Sequence, residues 1–154
     1  MMGHKTKPVI RLDTFTNKMR LETEGLEVFA YLYAMLMDRP DYANISHRGM
    51  PTFAEHCKFV LSEPYRFWWL IVDFDGKRLG TAYVTFPNEV GVFIESRFRG
   101  QGYGSAALDA IENHPCMGST RLLANVAATN SRSADLFTGR DYKLLQRTFF
   151  KDIP

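Results

Sequence analysis

The sequence has few cysteines, almost no excess of charge and no long apolar run. Its two cysteines, Cys57 and Cys116, have no partner at metal-ligand spacing, which argues against a zinc site and favours a reducing compartment, although a single disulfide stays open. Nineteen Lys and Arg residues against 17 Asp and Glu give a net charge of +2, too balanced for a protein that coats nucleic acid or anionic lipid. The longest apolar run, from Val28 to Met37, is shorter than the roughly 20 residues of a membrane-spanning helix. We therefore expect no metal, no nucleic-acid or membrane partner, and a cytoplasmic location.

The sequence contains enough apolar residues to form one hydrophobic core. Of its 154 residues 45% are hydrophobic, and no repeat or linker divides them, so a single domain over 1–154 is predicted, with 1–7 disordered. Periodicity and turn residues assign the elements. The predicted order β-α-α-β-β-β-α-β-α-β comprises strand 8–15, helices 26–37 and 51–62, strands 67–73, 79–86 and 89–95, helix 105–113, strand 121–128, helix 131–138 and strand 142–150.

Three alternate glycines, Gly100, Gly102 and Gly104, lie between a predicted strand and a predicted helix. Such a turn presents free backbone N–H groups and a helix N-terminus to a phosphate, although glycines can also serve only a helix entry with positive φ. A Walker loop would need a lysine after the last glycine, and none follows. A dinucleotide-binding loop would need a G-x-G-x-x-G turn and an acidic residue ending the next strand, which here ends in Ala-Ala-Thr at 127–129. Both nucleotide loops are therefore disfavoured.

The segment from Arg99 to Gly104 matches R-x-x-G-x-G, and residues 130–137 match N-x-x-(S/A)-x-x-L-(Y/F). These motifs resemble those of the GCN5-related N-acetyltransferase (GNAT) superfamily, and the likeness extends over about residues 67–150. The resemblance implies a mixed α/β fold with a splayed central pair of parallel strands. It also implies acetyl-CoA as the co-substrate.

In this resemblance the coenzyme is held mostly by backbone. The N–H groups from Gln101 to Ser105 would bind the pyrophosphate, with Arg99 supplying charge. Strand 92–95 would diverge from strand 122–126 and expose groups for the pantetheine, while the N–H near Ile94 would polarise the thioester carbonyl. The cofactor-binding set is Phe93, Ile94, Arg99, Gly100, Gln101, Gly102, Tyr103, Gly104, Ser105, Asn130 and Phe137. Asn130 is equally well placed to cap the helix that follows it.

Transfer to an amine needs a group that removes a proton from the ammonium. The resemblance implies a carboxylate on the strand before the glycine loop, acting through water, and Glu89 and Glu95 are the two candidates, each of which could instead be a solvated edge charge. The family's usual acid is a tyrosine, but this chain has Phe137 there. Tyr142 or Tyr103 could replace it, or the thiolate could leave unassisted.

The acceptor site is predicted on the N-terminal side, with Tyr33, His47 and Arg48 as substrate residues and with Glu55 and His56 flanking the same site. Residues 45–59 resemble the branch of the superfamily that acetylates amino-sugar nucleotides. The expected function is transfer of an acetyl group from acetyl-CoA to a primary amine of a small metabolite or amino-sugar nucleotide in a ternary complex. A protein N-terminal or lysine acetyltransferase and a non-catalytic acyl-CoA-binding module are the alternatives, and a homodimer is left open.

Overall fold

The fold is a mixed α/β arrangement, seen in a computed structural model that describes residues 6–15, 25–40 and 49–154. A sheet of four antiparallel strands runs in the order β1-β2-β3-β4. Most of the segment predicted to be disordered, 1–7, lies outside the described residues. The elements are β1 (Arg11–Thr14), α1 (Gly25–Met37), α2 (Phe53–Leu61), β2 (Phe67–Val72), β3 (Arg78–Val84), β4 (Val90–Ile94), a 3-10 turn (Ser96–Phe98), α3 (Tyr103–Glu112) and α4 (Ser131–Thr138).

Helices cover both faces of the sheet, so β2 carries apolar side chains on both sides. Trp69 and Ile71 pack with residues of α3 in one buried cluster, and Trp68 and Leu70 pack with residues of α1 and α2 in the other. This separation of neighbouring tryptophans follows from the two-residue period of a strand. The turn between β2 and β3 contains Asp75-Gly76, a pair typical of tight turns, and the carboxylate of Asp73 accepts hydrogen bonds from two of its backbone N–H groups.

The two strands predicted after α3 are not formed. The segment 121–128 makes a single parallel bridge, Glu89 to Leu123, and the described residues contain no strand at 142–150. Side chains of the last segment are exposed, including Phe149 at 88% and Phe150 at 90%. A strand needs a partner for its backbone groups, and β-forming side chains alone do not provide one. The mixed α/β class is thus confirmed, whereas the full predicted strand order is not.

Among the described residues, the segment after α3 pairs in parallel with the β4 side of the sheet at one residue, Leu123. The N–H of Val90 donates to Leu123 at 2.7 Å, and the N–H of Leu123 donates to Asn88 at 2.9 Å. Within the described ranges, no backbone hydrogen bond joins β4 to residues 124–128. The two segments are therefore hydrogen-bonded at Leu123 and unpaired from there toward Ile94.

Gly80 permits the closest backbone approach between β3 and β4. A Cβ built at this residue would lie 2.1 Å from the carbonyl oxygen of Phe93. We expect Gly80→Ala to lower the free energy of unfolding by about 2–4 kcal/mol, because the two strands must move apart. Gly49→Ala is the control, since no described residue lies within 4 Å of its Cβ position, and a change of less than about 0.5 kcal/mol is expected. Urea titration measures both; equal midpoints for the two variants would contradict the close approach.

No helix in the described ranges is long and apolar enough to cross a membrane.

Candidate active site

The glycine loop has the backbone shape of an anion cradle. Gly100 and Gly102 have φ of 76° and 87°, left-handed values that side chains disfavour. Gly102 is the N-cap of α3 and makes no side-chain capping bond, and the helical hydrogen bonds begin with the N–H of Ala106. The N–H groups at 103–105 thus have no partner within the helix. Open backbone donors at a helix N-terminus fit a pyrophosphate.

Arg132 brings a positive charge to this loop and was not among the predicted site residues. Its Nη2 lies 3.3 Å from the Cβ position of Gly100. The feature of the sequence that could have identified Arg132 is its position two residues after Asn130, within the motif at 130–137. Asn130 caps α4, since its side chain accepts a hydrogen bond from the N–H of Ser133 at 3.1 Å, so the capping alternative is confirmed.

Arg99 is directed at the end of β4. Its Nε donates to the carbonyl oxygen of Ile94 at 2.9 Å, and its Nη2 lies 3.2 Å from the carboxylate of Asp38. Asp38 also accepts hydrogen bonds from the N–H and hydroxyl of Ser96, both at 3.0 Å. These contacts link the residue after α1, Asp38, to the residues at the end of β4. The Arg99 guanidinium also lies over the ring of Phe93, 4.9 Å from its centroid.

The free edge of β4 provides backbone donors and acceptors beside the loop. Because β4 pairs with β3 through its odd-numbered residues, the backbone groups of Val92 and the N–H of Ile94 face the diverging segment 124–128. Unpaired strand groups of this kind hydrogen-bond extended ligands. The parallel strand pair predicted from the motifs is not formed, because the segment 121–128 makes only the bridge from Leu123 to Glu89 and leaves the edge of β4 beyond it unpaired.

The two candidate carboxylates lie at opposite ends of β4. Glu95 follows Ile94 directly; its carboxylate accepts hydrogen bonds from the Tyr31 hydroxyl at 2.9 Å and from Arg97 Nε at 2.7 Å. Burial and the bond to Glu95 raise the pKa of Tyr31 far above its usual value. Glu89 is five residues before Ile94, about 17 Å along a strand. Only Glu95 is therefore a neighbour of the end of β4 that meets the glycine loop.

The aromatic residues considered for the acid lie in different places. Tyr142 packs edge-on against Phe137 at 5.1 Å, and burial, together with Glu112, raises the pKa of its hydroxyl to about 12. Glu112 ends α3, about 15 Å from the helix N-terminus, so the structure does not bring Tyr142 to the loop. Tyr103 lies within the loop and packs against Phe98.

The other loop side chains have partners within the protein. Gln101 donates to the carbonyl oxygen of Arg97 at 3.2 Å, and the hydroxyl of Ser105 accepts a hydrogen bond from Arg140 at 3.1 Å. Their backbone N–H groups, rather than their side chains, are what the loop offers to an anion.

A cavity of about 270 Å³ lies between α1, α2 and the sheet, and we call it the aromatic cavity. Five aromatic side chains line it, together with Leu32, Met35, Leu36, Arg39, Pro51, Glu55, His56 and Thr81; the aromatic residues are Phe59, Tyr65, Trp68, Tyr83 and Phe93. Tyr33, a predicted substrate residue, lies just behind it: its ring is 5.3 Å from His56, and its hydroxyl donates to Pro51. His47 and Arg48, the other two, lie outside the described residues.

His56 is the notable polar residue of this cavity. It is 6% exposed, and its Nε2 has no hydrogen-bond partner among the described residues. Burial lowers the pKa of the imidazole, so it is neutral at pH 7. The sequence pattern places His56 beside the acceptor site, but a predicted helix position alone does not show that its side chain is buried. No group of three His, Cys, Asp or Glu residues that could hold a metal ion occurs in the described part of the chain.

Known proteins share this architecture. A domain from Methanocaldococcus jannaschii is similar with a TM-score of 0.68 and 21% identity, over 91% of this chain and 92% of that one. The candidate acetyltransferase YycN of Bacillus subtilis has a TM-score of 0.63 and 15% identity, over 95% and 99%. A chimera of spermidine N-acetyltransferase SpeG from Vibrio cholerae and hSSAT has a TM-score of 0.63 and 9% identity, over 84% and 78%. Comparison with curated proteins gives no significant match.

These likenesses show a shared fold, and a sequence comparison gives the family. The sequence profile of the Acetyltransferase (GNAT) family matches residues 30–142, which include most of α1 and all elements from α2 to α4, with the glycine loop. The cradle at Gly102 and the open edge of β4 are the features that this assignment explains. The chain therefore belongs to the GNAT acetyltransferase family and is an acyltransferase enzyme.

Proposed function

We propose that this enzyme transfers the acetyl group of acetyl-CoA to the primary amine of a small molecule in a ternary complex. The observation that carries the proposal is the junction of an uncapped α3 N-terminus with the unpaired edge of β4. A phosphate cradle beside unpaired strand donors fits the pyrophosphate and the amides of an extended coenzyme arm. The aromatic cavity lies beside the same end of β4, because Phe93 lines it.

The loop and β4 have separate roles in this proposal. The N–H groups at 103–105 bind the pyrophosphate, and the N–H of Ile94 polarises the thioester carbonyl. Acetyl-CoA supplies an acetyl thioester: an N–C bond forms, the C–S bond breaks, and an amide and a free thiol result. The carboxylate of Glu95, held by Tyr31 and Arg97, accepts the proton that leaves the amine nitrogen and returns it to solvent, from which the departing thiolate takes a proton.

Arg132 adds charge at the cradle, so removing it should weaken coenzyme binding. We expect Arg132→Ala to raise the Kd for coenzyme A about 5-fold, since an exposed guanidinium contributes about 1 kcal/mol to an anion contact. The dependence of Kd on salt should also decrease. Arg147→Ala, an exposed arginine in the C-terminal segment, is the control. Calorimetric titration at two salt concentrations measures the effect, and an unchanged Kd at low salt would remove Arg132 from the site.

The function itself is tested by incubating the protein with acetyl-CoA and panels of amines while free thiol is measured. Thiol release that depends on an amine supports the proposal. Coenzyme binding without release on any amine would favour the binding module instead, and release only with peptides carrying a free N-terminus or a lysine would favour a protein acetyltransferase.

A further inference from the structure

The first turn of α3 has no side-chain cap to hold it. Gly102, the N-cap residue, has no side chain that can accept a hydrogen bond. An ordinary cap accepts from the second or third N–H of the helix, which here belong to Gly104 and Ser105. These two N–H groups are among the donors that the proposed pyrophosphate site needs. A cap would therefore stabilise the turn only by occupying a donor of the site.

Arg140 holds this turn from the side instead. Its Nη1 donates to the hydroxyl oxygen of Ser105 at 3.1 Å. Among the described residues, this is the only side-chain hydrogen bond to residues 103–105. Helix ends fray when nothing holds them, so one bond to the first turn matters more than the same bond would in the middle of the helix. Because the bond uses the side chain of Ser105, the N–H of this residue stays open.

Two carboxylates of α3 fix the position of Arg140. Its Nη2 contacts the carboxylate of Asp109 and lies 2.6 Å from that of Glu112, and its Nε donates to Glu112 at 3.3 Å. Ser105, Asp109 and Glu112 follow one another at intervals of four and three residues, so they lie along one face of the helix. A planar guanidinium with five N–H donors can contact all three side chains at once. The Arg140 side chain is accordingly well buried, with 12% exposed.

The charge of Arg140 is balanced where it lies. Asp109 and Glu112 supply two negative charges, and Lys7 also contacts Asp109, so these four side chains have no net charge. The contacts to α3 engage four of the five N–H groups of Arg140, which leaves little capacity for a phosphate. Arg140 therefore acts on the coenzyme site through geometry, whereas Arg132 brings charge to it.

Arg140 also connects the two helices that border the glycine loop. It follows α4 directly, and its backbone N–H donates to the carbonyl oxygen of Phe137 at 3.0 Å in the turn that ends this helix. The first turn of α4 carries Arg132, which lies at Gly100. A bond from the end of α4 to the first turn of α3 therefore restricts how far the open N–H groups can move relative to the Arg132 guanidinium.

We propose that Arg140 is a positioning residue for the coenzyme: it holds the first turn of α3 through Ser105, so that the N–H groups at 103–105 stay directed at the pyrophosphate without a cap. This inference rests on the proposed acetyltransferase function and deepens it. Donors that are already ordered bind an anion more tightly, because less conformational freedom is lost on binding. Removing the bond from Arg140 to Ser105 should therefore weaken coenzyme binding although every backbone donor is still present.

Two substitutions that keep the net charge test this bond. Ser105→Ala removes the hydroxyl but keeps the N–H, and Arg140→Lys replaces the planar fork of donors with a single ammonium group. In calorimetric titration the Kd for coenzyme A should rise about 5-fold in Ser105→Ala and about 10-fold in Arg140→Lys. The double variant should match Arg140→Lys, because both changes remove the same bond. Arg66→Lys is the matched control, since Arg66 is exposed and donates to Asn88, and it should leave the Kd unchanged.

A donor without a pyrophosphate separates positioning from a general loss of structure. S-acetylpantetheine has the thioester and the pantetheine arm only, so its kcat/KM in the thiol assay should change less than about 2-fold in either variant. With acetyl-CoA, kcat/KM should fall about as much as the Kd for coenzyme A rises. A general loss of structure would lower both values equally, and that result would overturn the positioning role.

The binding measurements decide the proposal independently of turnover. A Kd within about 2-fold of the unmodified protein in both variants, or an additive increase of about 50-fold in the double variant, would overturn the role of Arg140. If Arg140→Lys does not fold, Ser105→Ala decides, and an unchanged Kd in that variant overturns the proposal. Weakened coenzyme binding in the variants, together with no thiol release on any amine, would support the positioning role and overturn the acetyltransferase function. Absence of coenzyme A binding by the unmodified protein would overturn both.

Discussion

Gly102→Val is expected to abolish coenzyme A binding and acetyl transfer while the protein stays folded. Gly102 has a φ of 87° and caps α3 at the point where the N–H groups at 103–105 are open. A branched side chain there would lie in the space a pyrophosphate needs, and among the described residues its Cβ would meet only the half-buried ring of Pro8, at 3.3 Å. The loss of binding should thus exceed the loss of stability by far. Calorimetric titration with coenzyme A and thermal unfolding measure the two effects.

Gly118→Val is the matched control for this prediction. Gly118 also has a positive φ, 59°, and nothing lies within 4 Å of its Cβ position, so it shares the backbone strain without lying at the cradle. Both variants should lose about 1–2 kcal/mol of stability from the left-handed conformation. Only Gly102→Val should lose the coenzyme. Normal binding by folded Gly102→Val would show that the pyrophosphate lies elsewhere.

Glu95→Gln is expected to lower kcat/KM about 100-fold, the range of a lost general base. The amide has nearly the same shape but accepts no proton, and Glu95 is the carboxylate next to Ile94. Steady-state rates over a range of amine concentrations measure kcat/KM for both proteins.

Two further variants separate chemistry from structure at this residue. Tyr31→Phe removes the 2.9 Å hydrogen bond to Glu95 but keeps the carboxylate, so it should change the rate less than 10-fold. Glu89→Gln should change it less than about 3-fold, because a base must reach the amine directly or through one water and Glu89 is about 17 Å along the strand. A larger loss in Glu89→Gln than in Glu95→Gln would reverse the assignment.

Local signals in the sequence predicted the parts of the site that consist of backbone. Alternate glycines imply positive φ, which Gly100 and Gly102 have, and the Asp-Gly pair implies the turn between β2 and β3. The capping box at Thr52 and the left-handed φ of Asp141, 64°, likewise depend on residues a few positions apart. Each of these features depends on residues that are close together in the sequence.

Predictions that depended on contacts between residues far apart in the sequence were less successful. The side chains at 142–150 favour a strand, but a strand exists only where another backbone pairs with it, and none does among the described residues. Tyr142 was a plausible acid by its position after α4, yet its hydroxyl lies near Glu112 at the far end of α3. Arg132 and His56 acquire their places from contacts with residues more than 20 positions away.

By itself the sequence determined the family, the glycine loop with its positive φ values and a nearly balanced charge, which is compatible with one anionic ligand because backbone N–H groups and one or two arginines suffice to bind it. Tertiary structure alone decided that Tyr31 of α1 donates to the carboxylate of Glu95, that Arg132 lies over Gly100, and that rings from α2, β2, β3 and β4 line one cavity beside His56. The physical reason is that backbone conformation is set locally, whereas burial, and with it the strength of a polar contact, is set by elements that only packing brings together.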